Sequence, residues 1–353
     1  MKTKKIFFFG ISILFLSLIF SSCRNRTPGQ FRTSATGARF EVLVVIDNQL
    51  WQAPAGRKLF NLLDQDMIGL PQPEPMFRIM QVPPVAFSDF LRPTRNIIEV
   101  DVSPERFTQT RINLLVDPIS HPQRYVRITA PSDSALLSAL ITDGAQILNF
   151  LVIGERERSM RGLENRHHRD LSRAAQEWMG VHILLPPDMR NSTKRENFFW
   201  VSNEHQETRQ DIVIYSYPYT DPNTFTFDFL VAKRDSVMRR NIQGPVPGSF
   251  MGTELYFDTP TMNVIWHNGE FAIEMFGLWR TMNGGAMGGP FYSLTRLDEV
   301  NQRVVTVEGF VFAPSVNKRN AIRALEAAVH TLQLPQDINR LDEVVVMANQ
   351  EEN

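Results

Sequence analysis

The chain has 353 residues, with 37 Lys and Arg against 38 Asp and Glu, a formal charge of −1 and 43% hydrophobic residues. Near-neutrality without a basic face argues against a nucleic-acid binder. A single cysteine excludes a disulfide framework and a cysteine-type zinc site.

Lys2, Lys4 and Lys5 open the chain, followed by an apolar run from Ile6 to Phe20 and then Ser21, Ser22 and Cys23. A basic start, a short apolar core and small residues before a cut site make an export signal. The run is broken by Gly10, Ser12 and Ser17 and falls short of the ~20 residues that span a bilayer. Ser21-Ser22-Cys23 resembles the lipobox of bacterial lipoproteins, with Phe20 where Leu or Val is commoner. These features predict a signal peptide over 1–22 and an acylated Cys23 that holds the chain on the lipid bilayer, since several acyl chains anchor stably where one does not. With the leader gone, the three leading lysines are lost and the formal charge becomes −4. Residues 23–39 carry four arginines among Thr, Ser, Gly and Ala without an apolar period, which predicts a flexible tether.

From Phe40 the pattern is globular. The spacing predicts a strand at Phe40–Ile46, a helix at Trp51–Leu63 and a break at Pro71, Pro73 and Pro75. Strands are expected at Phe77–Val82, Asn96–Val102, Arg111–Val116 and Tyr125–Thr129, and helices at Ser134–Arg158 and Arg169–Trp178. No later segment is expected to be apolar enough to cross a membrane: Ala135–Ile153 is the richest, but Thr142, Asp143 and Gln146 interrupt it. In the second half the expected elements are a strand at Asp211–Tyr217, a helix at Phe225–Asn241, further strands ending with Arg303–Phe312, and a helix at Asn317–Leu332. Asn268-Gly269 between Met262–His267 and Glu270–Phe276 marks a two-residue hairpin. The pattern predicts an α+β fold: a first α+β unit at 40–165, a connecting helix and linker at 166–205, a second unit at 206–334 and a C-terminal tail at 335–353. Both sheets are expected to be largely antiparallel and backed by helices. Each half runs strand, helix, proline break, strands, Ala-Pro-Ser, helix, which admits a structural duplication.

No nucleophile elbow, HExxH, phosphate loop or dinucleotide fingerprint is present. The seven histidines are scattered; His167-His168 lie in a charged stretch, so no metal or cofactor is expected. The candidate ligand or partner surface combines three clusters. In Gly277–Phe291, Gly284, Gly285, Gly288 and Gly289 give a loop with little steric restriction beside Trp279, Arg280 and Met287. Arg92 and Arg95 offer guanidinium forks, and Tyr217, Tyr219 and Asp221 suit a glycan or protein partner. Glu274, among apolar neighbours in FAIEMFGLW, requires a partner such as Arg280 or Arg296, a raised pKa or an outward-facing position.

The runs LPQPEPMF (70–77), DFLRPTRNI (89–97), RQDIVIYSYPYTD (209–221), AKRDSVM (232–238), GGAMGGPF (284–291) and TRLDEVNQRVV (295–305) resemble an uncharacterised lipoprotein family of Bacteroidota, domain of unknown function 4837, from Phe40 to about Leu334. The resemblance implies a cell-envelope compartment and no particular chemistry. Surface lipoproteins of that group tend to carry acidic residues after the cysteine; Arg24-Asn25-Arg26 here points to the outer membrane, facing the periplasm. Two readings stay open. A non-catalytic role in binding or assembly, with an envelope protein or glycan as partner, predicts exposed aromatics around Trp279 and Tyr217–Tyr219. A hydrolase acting on glycan or peptide predicts a pocket in which Glu274 or Asp221 faces a second polar group.

Overall fold

The structure, a computed structural model, describes residues 33–340. The predicted signal peptide, Cys23 and the end of the tail lie outside those residues. Within the expected tether, Thr33–Ser34 pair in parallel with Ser120–His121, and the Thr36 N–H donates to Pro93 O at 2.9 Å.

The first unit contains β1 (Glu41–Val45), α1 (Asn48–Gln52), α2 (Pro54–Leu63), β2 (Arg78–Val82), β3 (Asn96–Val102), β4 (Arg111–Val116), β5 (Arg124–Ala130) and the long α3 (Asp133–Asn165). The helix expected at 51–63 is two helices: Ala53 is extended, and Pro54 opens α2, where its missing N–H costs nothing. The sheet order is β2-β1-β3-β5-β4. Here the expectation of a largely antiparallel sheet is corrected. β1 runs parallel to β2 and β3, β3 parallel to β5, and only β4 is antiparallel to its neighbour. The reason lies in burial on both faces. Val42, Val44 and Ile46 pack against α2 and α3, while Leu43, Val45 and Ile97 pack with Phe87 and Leu91 on the other side. An uninterrupted apolar strand of this kind belongs in a covered parallel sheet.

The second unit contains α4 (Arg169–Met179), β6 (Asn191–Arg195), β7 (Phe198–Ser202), β8 (Arg209–Pro218), α5 (Phe227–Asn241), β9 (Phe250–Thr253), β10 (Thr261–His267), β11 (Glu270–Met282), β12 (Gly288–Asp298), β13 (Arg303–Phe312) and α6 (Arg319–Val329). Eight antiparallel strands run β9-β11-β12-β13-β8-β7-β6, with β10 also on β11. The predicted hairpin is present: Asn268 and Gly269 have φ of 55° and 78°. Alternation fills two cores. Ile212, Ile214, Val305 and Val307 face α4 and α6, whereas Val213, Tyr215 and Val304 face α5. The molecule is therefore α+β in two units, but a mostly parallel sheet and an antiparallel one are not copies of a single unit, so the duplication does not hold.

The two units are joined closely. α3 packs on α6, and Met67, Leu70 and Met76 from the proline-rich segment enter the core of the second unit. Glu74 accepts from the backbone N–H groups of Lys318 (2.7 Å) and Arg319 (3.0 Å). It supplies the cap that α6 lacks locally and places a carboxylate at the positive end of the helix. α3 has an 18-residue window of mean hydropathy 1.7, so by length and composition it is apolar enough to cross a membrane, more so than the interruptions in its sequence suggested. In the fold Leu136, Leu140, Ile147 and Leu151 pack onto the first core.

Candidate functional site

A cleft of about 520 Å³ opens where α3 meets β10 and α6. Its walls are apolar, with Val152, Ile153 and Met160 from α3 opposite Ile265, Trp266 and Phe276 from the hairpin; its floor is polar. α6 turns Ile322, Leu325 and Val329 to the sheet. Arg323, Glu326 and His330, spaced three and four apart, line the cleft from the same helix and its C-terminal cap. β12 carries Tyr292, which sits opposite Phe276 in register and so lies diagonal to Glu274 on the same face of the sheet.

These groups form one chain. His330 Nε2 lies 3.0 Å from Arg156 Nη1 and 2.6 Å from the Tyr292 hydroxyl, which is 3.1 Å from Glu274 Oε2. Asn263 Nδ2 donates to the other Glu274 oxygen at 3.2 Å. Arginine can only donate, so His330 Nε2 accepts and the proton of the neutral ring belongs on Nδ1. Burial, with Arg156 adjacent, holds His330 well below its ordinary 6.5. Burial pushes Glu274 upward, and Glu326 nearby adds to the rise. Tyr292 has one proton for two acceptors. Donated to Glu274, it opposes the rise that burial causes there.

The two titrations act on stability in opposite directions. Unfolded His330 binds a proton at 6.5 and the folded ring resists it, so its contribution is lost as pH falls below 6.5. Glu274 stabilises the fold at low pH, and that contribution is lost as pH rises through its raised folded value. His330→Gln is expected to flatten the loss of urea stability between pH 6.5 and about pH 5; an unchanged slope would mean that the ring is hydrated.

The residues singled out from sequence are dispersed. Trp279 is only 4% exposed and Tyr217 only 9%. The Trp279 indole N–H donates to Val311 O at 3.1 Å, and its ring meets Phe310 edge-on. Tyr217 lies against Tyr215 and Phe229. The exposed aromatic patch expected there is absent, because strand alternation turns both side chains toward α5. Tyr219 is half-buried against Phe225, and Asp221 caps a 3₁₀ turn through the Asn223 N–H at 2.8 Å. Arg280 pairs with Glu254 at 3.1 Å, and Arg296 pairs with Asp337 through both terminal nitrogens, so neither partners Glu274. Arg92 is exposed beside Asp89, and Arg95 lies 3.2 Å from buried Glu155.

The glycine segment is shorter as a loop than expected. Gly284 and Gly285 take φ of 113° and 87° in the turn beside half-buried Met287. Gly288 and Gly289 already belong to β12, and a Cβ on Gly289 would stand 2.0 Å from Val311 O. That glycine serves a close backbone approach. A cavity of about 80 Å³ beneath the turn is lined by Trp200, Asp211, Trp279 and Phe312. Asp211 is already held by Arg209 (3.0 Å) and the Trp200 indole (2.9 Å).

The cleft residues Arg156, Trp266, Arg323, Glu326 and His330, and buried Tyr292 bonded to His330, had no place among the sequence candidates. The one available signal was the spacing of Arg323, Glu326 and His330 on the face of the helix opposite its apolar stripe. Among the described residues no group of three or more His, Cys, Asp or Glu could hold a metal ion.

The fold and cleft define a two-domain α+β protein with a candidate binding site at the domain junction. Residues 168–331 match a domain of unknown function, DUF4837, and residues 35–164 match a second one, DUF8532. The chain thus carries a DUF4837 domain, as its motifs suggested, but that domain covers only the second half. The runs at 70–77 and 89–97 fall in the DUF8532 region. No curated protein matches the chain.

Proposed function

We propose that this protein is a lipid-anchored lipoprotein of the bacterial cell envelope, in the outer membrane facing the periplasm, and that it binds a small ligand in its interdomain cleft without converting it. The basic and apolar leader ending at Ser21-Ser22-Cys23 supports the anchor, and the resemblance to Bacteroidota lipoproteins supports the compartment. One observation carries the binding reading: exposed Ile153 and half-buried Ile265 and Phe276 border a cleft whose polar groups, Arg156, His330 and Glu274, are linked in one hydrogen-bonded set through Tyr292. Apolar walls over a few fixed polar groups are the usual build of a ligand site. The reading replaces the aromatic partner surface expected at Trp279 and Tyr217.

Native mass spectrometry of the protein purified from its own envelope tests this. A small molecule should accompany the wild-type protein and be lost from Ile153→Asp. A wild-type protein that carries nothing in the cleft sinks the binding reading. Independently, Cys23→Ser should move the protein from the membrane to the soluble fraction.

The hydrolase reading keeps one specific support. Glu274 lines the cleft, faces Tyr292 and has a raised pKa, the environment of a general acid. Glu274→Gln separates the two readings: a binding protein retains its bound molecule unaltered, whereas a hydrolase accumulates uncleaved substrate.

A further inference from the structure

We infer that the cleft takes a monoanionic amphiphile, with its carboxylate on the Arg156 guanidinium and its apolar body between α3 and β10. The inference rests on the cleft being a ligand site, and it adds the chemistry of the ligand.

The head assignment follows from the pairing of charges on the floor. Arg156 and Arg323 share a single carboxylate: Glu326 Oε1 lies 3.4 Å from Arg156 Nη1, and Oε2 lies 2.6 Å from Arg323 Nη1. The second Arg323 nitrogen rests on the Met76 sulfur at 3.6 Å. Glu157, the other acid of the rim, is drawn away to Arg124. Both Glu274 oxygens are occupied by Asn263 and Tyr292, and both His330 and His267 are held toward the neutral form by burial. Two guanidinium groups thus share one carboxylate, and Arg156 has no acid bonded to it alone.

Arg156 also has donors to spare. Among the described residues its hydrogen bonds run through Nη1 alone, to His330 and Glu326, and its side chain remains 24% exposed. The rest of the planar fork matches the two oxygens of a carboxylate. A doubly charged phosphate would add a second negative charge beside Glu326, so a monoanion fits better.

The body follows from the walls. Ile153 is large, apolar and exposed at the rim of the cleft, with half-buried Ile265 and Phe276 among the residues lining it, and covering such surface gains about 25 cal/mol per Å². The apolar track continues along α3 through Val152, Leu148 and exposed Ile141. From Arg156 to Ile141 the helix rises about 22 Å. A long unbranched chain can follow it with its head on the floor.

The test uses the full chain carrying Cys23→Ser, so that no anchor competes for the site. Dodecanoate, dodecanol and dodecylammonium are titrated by calorimetry below their micellar concentrations. Dodecanoate should bind one site, more tightly than the other two. Arg156→Gln should weaken dodecanoate about tenfold or more, the loss of one charge-assisted pair, and leave dodecanol unchanged. Ile153→Asp, on the exposed side of α3 and away from the buried floor, should weaken both and guards against a misfolded Arg156 variant. Equal binding of dodecanoate and dodecanol, or indifference to Arg156→Gln, overturns the head assignment. If Ile153→Asp still abolishes binding in that case, the cleft reading survives. No binding of any of the three overturns the inference, and the cleft reading then stands or falls by its own mass-spectrometric test.

Discussion

Arg234→Ala is expected to destabilise the second unit by about 3–5 kcal/mol, the cost of stranding one member of a buried ion pair. Arg234 on α5 and Glu308 on β13 are both buried. The guanidinium grips the carboxylate with Nε at 2.8 Å and Nη2 at 2.7 Å, and its Nη1 donates to Thr253 Oγ1 at 2.8 Å. The Phe291 ring lies 4.1 Å from the guanidinium carbon. Burial already pushes Glu308 upward, and Arg234 is the main force opposing that rise. Without it, the carboxylate must take up a proton or open the sheet to water. Urea denaturation measures the loss, and Arg234→Met with Glu308→Leu should restore most of it, because replacing both charges removes the desolvation penalty together with the pair. A single-variant loss under 1 kcal/mol would mean that water reaches the pair.

Trp279→Ala should cost a similar amount, about 3–5 kcal/mol for deleting a large buried ring. The indole fills the space between Phe310 and Phe312 and holds the Val311 carbonyl. The two views of this residue give different results. As a partner surface, the variant would fold normally and lose a partner; as core, it loses thermal and urea stability. A variant as stable as the wild type would return Trp279 to the surface.

Trp279 also shows where reading from sequence stops. Its segment, GLWRTMNGGAMGGPF, has the glycines and aromatic of a mobile binding loop. Yet three of its five glycines, Gly277, Gly288 and Gly289, are strand residues, and Gly289 is small because a neighbouring carbonyl lies where a Cβ would be. One composition serves both purposes, and only cross-strand register separates them. The same holds for the first sheet. FEVLVVI was legible as a buried strand, but its direction relative to β2 and β3 depended on the covering of both faces by α2, α3 and the Phe87–Leu91 segment. The β6–β7 hairpin was missed because Asn191–Arg195 is entirely polar and gives no alternation.

Local sequence by itself determined most strands and helices, the Asn268-Gly269 turn and the two-unit α+β class, because periodicity and turn chemistry act over a few neighbouring residues. The cleft was decided by tertiary structure. Arg156 and His330 are 174 residues apart and meet only because α6 packs on α3. Their partners Tyr292 and Glu274 share a face through strand register. Charges, burial and hydrogen bonds at such a meeting point are properties of the packed chain, since each side chain acquires its shifted pKa only when the others displace water from around it.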